Sequence, residues 1–260
     1  MTLRMTDCCY RVGDHVLLEN VSATISSGVV TGILGANGAG KTSLVHVATG
    51  AEKAHEGSIS VSGPAGELPL ERLSHLARAR QIAVLPQTAT LEFPFSVEEV
   101  VLMSRIPHLS DDITNRALVA QVLNMFSLNE LSHRTYTSLS GGEKQRVQIC
   151  RVICQVFDQV ENAHLIFDEP IAPLDIAHQV AFFRLIRKLA FEGAAIGLVL
   201  HDIELACQFC DELILMSHGK VICAGKPKDV ITTDSIQSAF DVAVTVVEGP
   251  KGALRLVFDD

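Results

Sequence analysis

Residues 35–42 read Gly-Ala-Asn-Gly-Ala-Gly-Lys-Thr, and no other stretch of the chain limits its possible folds so strongly. Gly35, Gly40, Lys41 and Thr42 occupy the four fixed positions of a phosphate-binding loop. A polyphosphate needs many donors at close range. Glycines let backbone N–H groups approach with no Cβ in the way, and a helix starting here points its positive end at the anion. Lys41 is placed to reach β- and γ-phosphates, and the Thr42 hydroxyl to ligate Mg²⁺. The flanks agree: Val29–Leu34 is an apolar run suited to a buried strand, and Ser43–Ala48 continues as a helix. An ordinary glycine-rich strand-to-helix turn is the competing reading.

Several classes are disfavoured by composition. The chain has 260 residues and is 48% hydrophobic, enough for one large domain or two lobes sharing a core. No apolar run approaches the length needed to cross a bilayer. The opening residues, Met1 to Asp7, lack the apolar centre of a signal peptide, so a cytosolic location is expected. A net charge of −9 argues against general adhesion to nucleic acid or anionic lipid. Among seven cysteines, Cys207 and Cys210 form a CxxC. No second CxxC or paired histidine accompanies it, and the surrounding pattern is that of an amphipathic helix. Cys207 and Cys210 are therefore expected as small apolar residues in a core, as are Cys150 and Cys154.

Strand signals fall at Val29–Leu34, Ile82–Leu85, Leu165–Phe167, Gly197–Leu200 and Leu213–Met216. They are short, aliphatic and mostly unalternated, as in a parallel sheet covered on both faces. The clearest helix spans Ile176–Glu192, with Asp175 to cap it and Gly193 to close it. This is an α/β pattern. From Thr88 to Asn162 the signal is helix after helix, which suggests a helical lobe inserted into the core. Ala243–Val247 and Leu254–Phe258, separated by a turn-forming cluster at 248–252, read as a hairpin.

Two further motifs and three single residues are candidates for chemistry. Ala163–Phe167 is an apolar strand tipped by Asp168 and Glu169. Beside a phosphate loop, Asp168 would hold Mg²⁺ and Glu169 would act as general base on the attacking water. Leu139-Ser140-Gly141-Gly142-Glu143 opens a helix with a Ser140–Glu143 capping box. Its two first-turn glycines weaken the helix, and a phosphate approaching the N-terminus gives them a reason. On this helix Val147, Cys150, Ile153, Cys154 and Phe157 share one face, while Lys144, Gln148, Arg151 and Gln155 share the other. His201 and Gln87 each follow a strand signal. Tyr10 precedes the loop by 25 residues and reads equally well as an aromatic packed within a strand.

Together these motifs resemble the ATP-binding subunit of ABC transporters over nearly the whole chain. In that resemblance Tyr10 is the adenine-stacking aromatic, and residues Gly35, Ala36, Asn37, Gly38, Ala39, Gly40, Lys41, Thr42 and Ser43 bind ATP. Gln87 is the Q-loop, with Thr42 and Asp168 a ligand of Mg²⁺. Ser140, Gly141, Gly142 and Glu143 are the signature that meets a partner protomer's ATP. Asp175 lies in the D-loop, and Glu169 and His201 are catalytic. The implied fold is a RecA-like P-loop core with an antiparallel β subdomain and an inserted α-helical subdomain. The expected division is 1–87 and 163–260 for the β subdomain and core, and 88–162 for the helical signature subdomain. The resemblance also implies a head-to-tail homodimer with two equivalent sites, and no nucleic-acid partner.

The chain departs from the family's usual residues at Ala36, at Thr42-Ser43 and in the D-loop, where Ile171 and Pro173 stand. Leu85-Pro86-Gln87, Phe93–Val101 and Arg105-Ile106-Pro107-His108 look like the iron-siderophore, vitamin B12 and haem importer group. Gln145–Gln148 and Leu174–Gln179 look most like the haem (hemin) import ATPases. The implied role is ATP hydrolysis that powers haem uptake through separate integral membrane permease subunits, at the cytoplasmic face of a bacterial inner membrane. A periplasmic substrate-binding protein would be an indirect partner. Ferric siderophore or vitamin B12 import is the alternative cargo. A soluble non-transport ABC ATPase or an ATP-binding regulator is the alternative of another class.

Overall fold

The run Val30–Gly35 is buried at every position, so both faces of this strand must be covered. The computed structural model describes residues 1–63, 66–89, 91–249 and 254–258. Its elements begin β1 (Thr2–Val12), β2 (His15–Ser26), β3 (Val30–Gly35), α1 (Lys41–Thr49), β4 (Glu56–Gly63), β5 (Gly66–Pro69), α2 (His75–Gln81) and β6 (Ile82–Leu85). The middle of the chain holds α3 (Val97–Leu102), α4 (Asp112–Met125) and α5 (Gly141–Val156) with short 3₁₀ turns between them. Then follow β7 (His164–Asp168), α6 (Ile176–Phe191), β8 (Ala195–Val199), α7 (Ile203–Phe209), β9 (Glu212–Ser217) and β10 (Lys220–Gly225). The last elements are α8 (Pro227–Val230), α9 (Thr233–Phe240), β11 (Val244–Glu248) and β12 (Leu254–Phe258).

The five expected strands form one sheet in the order β9-β3-β8-β7-β6, all parallel, and β10 adds an antiparallel edge. Alternate residues leave this sheet on opposite faces. Leu165 and Phe167 enter a core shared with α3 to α6, whereas Ile166 enters a second core beneath α1 and the antiparallel sheet. Phe167 is fully buried and meets Phe182 of α6 edge-on, with ring centroids 5.4 Å apart. Burying such a ring stabilises the fold by about 2–3 kcal/mol.

That antiparallel sheet, ordered β2-β1-β4-β5, gave no clear strand signal in the sequence. Its alternation is broken where the β1 register shifts between Met5 and Cys8, near Asp7 at φ +49°. The segment between β6 and β7 is helical among the described residues, apart from an isolated bridge between Ser96 and Thr135. It has no core of its own, because Val97, Val119 and Val147 pack in the same cluster as Phe167 and Ile196.

The capping box opens α5 as expected. The polar side of this helix is not a water-facing surface, however. Gln148 is buried and donates to the Tyr136 hydroxyl at 2.8 Å, and Gln155 donates to the carbonyls of Ala79 and Ile82. Asp175 caps α6 by accepting from the His178 backbone N–H at 2.9 Å. α7 ends at Phe209, so Cys210 lies just past the helix. Cys210 is buried and Cys207 half-buried, both are free thiols, and burial pushes them up to about 12 and about 11. Cys150 and Cys154 are buried. β11 and β12 pair as an antiparallel hairpin; residues 250–252 of its expected turn lie outside the described residues. No described helix is long and apolar enough to cross a membrane.

Candidate active site

Parallel pairing brings the catalytic candidates to one edge. β7 and β8 align with Asp168 opposite Val199, and β3 and β8 with Ile33 opposite Val199. The segments leaving β3, β6, β7 and β8 therefore emerge side by side at the carboxyl ends of their strands, where ligands bind in open α/β sheets. Gln87 lies two residues past β6, Glu169 one past β7 and His201 two past β8. A cleft of about 610 Å³ opens there, lined by Leu17, Asn37, Gly38, Gly40, Lys41, Thr42, Ser43, Gln87, Glu169 and His201.

The phosphate loop needs two of its glycines for steric reasons. Gly35, at φ +153°, has the Met216 carbonyl where a Cβ would stand. Gly40, at φ +97°, would place a Cβ 2.8 Å from the Leu17 carbonyl oxygen. Lys41 is buried, and its ammonium donates to the Gly35 and Ala36 carbonyls at 2.8 and 3.0 Å. Burial pulls this ammonium below the usual lysine range, while Glu169 and then Asp168 act the other way. The Ala39 methyl packs into the core instead of lining the cleft.

At the end of β7 the Thr42 hydroxyl donates to Asp168 Oδ2 at 2.9 Å. The other oxygen, Asp168 Oδ1, is buried with no hydrogen-bond partner among the described residues. Burial pushes this carboxyl above the usual range, opposed by the Thr42 hydrogen bond. A divalent cation supplies what such an oxygen lacks, and the hydroxyl and carboxylate are the hard oxygen donors that Mg²⁺ prefers. The described residues contain no cluster of three or more His, Cys, Asp or Glu able to hold a metal. The Thr42–Asp168 pair therefore fits an ion completed by phosphate and water oxygens.

Glu169 is the focus of the site. Its Oε1 lies 2.6 Å from His201 Nε2 and accepts from Gln87 Nε2 at 2.8 Å. Its backbone is left-handed at φ +53°, which costs a non-glycine residue about 1–3 kcal/mol and persists only when its surroundings hold it. Gln87 gives its amide N–H to this carboxylate, an anionic acceptor; its amide oxygen, the atom a Mg²⁺ ion would take, is not used in that bond.

Tyr10 does not line the cleft. The shifted register of β1 turns it onto the buried face, 9% exposed, with its ring 5.7 Å from that of His55. Leu17 is the residue of the antiparallel sheet that reaches the cleft, and no sequence signal marks it. The signature lies apart from the cleft of its own chain. Ser140 and Gly141 are exposed, and the Ser140 backbone N–H donates to Glu143 at 2.8 Å. A Cβ on Gly141 would meet nothing within 4 Å, whereas one on Gly142 would stand 3.1 Å from the Pro173 carbonyl oxygen. Among the described residues nothing thus crowds Gly141. Asp175 is engaged with His178, 2.8 Å from its ring nitrogen.

A phosphate loop, an acidic strand tip and a separate exposed signature on one sheet-and-helix scaffold define an ABC-type ATPase. The chain belongs to the ABC transporter family, whose model matches residues 18–172, and it is the ATP-hydrolysing subunit of such a transporter. It is 38% identical over 255 residues to the hemin import ATP-binding protein HmuV of Pseudomonas fluorescens (strain Pf0-1), covering 98% of each chain. It is 36% identical to the protein of that name from Escherichia coli O157:H7, covering 96% of each. In fold it is similar to a structure described as a metal-chelate type ABC transporter in an inward-facing conformation. The TM-score there is 0.81 at 21% identity, with 100% of this chain and 97% of that chain covered. It is also similar to an ATP-binding subunit of an ABC transporter, with TM-score 0.78 and 24% identity, covering 88% and 92%.

Proposed function

We propose that this chain energises haem import through separate permease subunits, working as a homodimer at the cytoplasmic face of a bacterial inner membrane, with a periplasmic binding protein delivering cargo. The cargo rests on one observation: likeness to hemin import ATP-binding proteins extends over 98% of the chain at 38% identity. The cleft supplies the chemistry. ATP entering it gives the Lys41 ammonium β- and γ-phosphate oxygens in place of its own loop carbonyls. Thr42 and Asp168 would hold Mg²⁺, which when bound neutralises charge on the β- and γ-phosphates. Glu169 takes a proton from the water that attacks the γ-phosphorus, ADP departs, and His201 and Gln87 fix the carboxylate that accepts the proton. The Ser140–Gly142 signature meets the ATP held by the other copy, which gives Gly141 its reason. ATP closes the pair, and the permease responds only to interactions that differ between open and closed states.

The test is ATP-driven uptake in proteoliposomes that contain the cognate permease, comparing haem, a ferric siderophore and vitamin B12. Haem uptake that stimulates ATP hydrolysis supports the proposal. Uptake of a siderophore or B12 without haem overturns the cargo and leaves the transport ATPase standing.

A further inference from the structure

We propose that Gln145 is a positioning residue that makes the geometry of Glu169 depend on the seat of α5, and so ties the two ATP sites of a dimer together. The proposal rests on Glu169 being the general base. Gln145 stands in the second turn of α5, five residues past the Ser140 cap. Its side-chain amide donates to the Pro170 carbonyl at 2.8 Å, in a half-buried setting.

Glu169 carries a left-handed backbone that only its surroundings can maintain. On one side its N–H donates to the Val199 carbonyl of β8 at 3.2 Å. On the other side stands Pro170, which has no N–H to anchor. The Pro170 carbonyl is the next main-chain handle, and Gln145 holds it. Farther along, Gln179 of α6 donates to the Leu174 and Ile171 carbonyls at 2.9 and 3.3 Å. The Pro173 carbonyl lies so close to Gly142 that a Cβ there would stand 3.1 Å away. The segment from Pro170 to Leu174 is therefore clamped between two helices, and its end beside Glu169 is tied to α5.

The first turn of α5 is the signature. A displacement of α5 when that turn meets the other copy's ATP moves Gln145, the Pro170 carbonyl and, through the adjoining peptide, Glu169 of the same chain. Occupancy of one site thus bears on the base of the other. This connection uses a hydrogen bond across 25 residues of sequence, which no local pattern reveals.

The experiment measures steady-state ATP hydrolysis, ATP affinity and thermal stability of the full-length chain carrying Gln145→Met, Gln145→Glu or Gln145→Lys. Methionine and glutamate keep the length and lose the donor; lysine keeps a donor. The expected result for Met and Glu is a fall in kcat of about tenfold, the scale of one lost hydrogen bond. KM for ATP stays within about twofold and the Hill coefficient falls toward 1, while Lys recovers most of kcat. Gln145→Met placed on Glu169→Gln is expected to add no further loss, since the base it positions is gone. Unchanged kcat and Hill coefficient in the Met and Glu variants overturn the proposal. So does a kcat loss that tracks a fall in Tm and is not recovered by Lys. Wild-type turnover by Glu169→Gln alone would instead overturn the reading of Glu169 as base.

Discussion

The two ends of β7 each bury an ionisable side chain with an atom left unpaired, and they do different things. At the start, His164 is fully buried, and neither ring nitrogen makes a well-aligned hydrogen bond among the described residues. Burial first, and the nearby N-terminal ammonium second, bring it down to about 4, although the Gln81 and Thr2 carbonyls favour its charged form slightly. Four residues on, Asp168 is buried with Oδ1 unpaired, but its other oxygen takes the Thr42 hydroxyl, and Glu169 and Lys41 stand close by. A perturbed buried group is therefore not by itself a site. What separates the two ends is the company each keeps: a hydroxyl, a second carboxylate and an ammonium converge on the Asp168 end, whereas His164 has beside it two backbone carbonyls and the N-terminal ammonium.

The largest expected effect lies at the convergent end. Lys41→Ala is expected to cut ATP hydrolysis on the order of a thousandfold, because the loop has no second cation to replace the buried ammonium. Tm should not fall, since its chain partners are only two loop carbonyls. Near-normal turnover in a phosphate-release assay would break the contrast. Next comes Asp168→Asn, expected to lower kcat on the order of a hundredfold while leaving the fold at least as stable, because a desolvated carboxylate is replaced by a neutral isostere. A large loss of Tm with intact activity would reverse its assignment and make Asp168 structural like His164.

The opposite end makes the opposite prediction. His164 binds its proton near 6.5 when unfolded and near 4 when folded, so the unfolded chain holds more protons between those values. Stability is fully present above pH 6.5 and is lost as pH falls toward 4, by about 3 kcal/mol at about 1.4 kcal/mol per pH unit. Denaturant unfolding from pH 7.5 to 4.5 should show this slope in the wild type and a flatter one in His164→Leu, whose kcat at pH 7.5 stays at the wild-type value. An unaltered slope in the variant would remove His164 from the account. The smallest effect is expected from Cys207→Ala with Cys210→Ala. Truncating these core thiols should cost about 1–2 kcal/mol and leave kcat and its response to oxidants unchanged. Stoichiometric zinc lost in the double variant would overturn the core assignment.

Legibility in the sequence followed locality. The phosphate loop, the cap of α6 and the apolar β7 are written in contiguous residues whose spacing reports backbone geometry directly, so their positions could be read. Tyr10 could not be placed because the irregularity near Asp7 decides which face of β1 it occupies. Periodicity put the polar residues of α5 on one face, but it could not say what that face meets: Gln148 and Gln155 are spent on neighbouring elements. The bonds from Gln87 to Glu169 and from Gln145 to Pro170 join residues 82 and 25 apart. Such contacts leave no periodicity, so the candidate residues were legible while the network that holds them was not.

The central claim is that each chain carries two half-sites, completed only when the signature of one copy meets the ATP of another. Its most direct test is the mass in solution of Glu169→Gln with ATP and Mg²⁺, by size-exclusion chromatography with light scattering. The account predicts an ATP-dependent species of twice the 28.1 kDa chain mass, which reverts to monomer when Gly141→Asp is added to block the signature. A species that stays monomeric while binding ATP, or a dimer indifferent to Gly141→Asp, would contradict it.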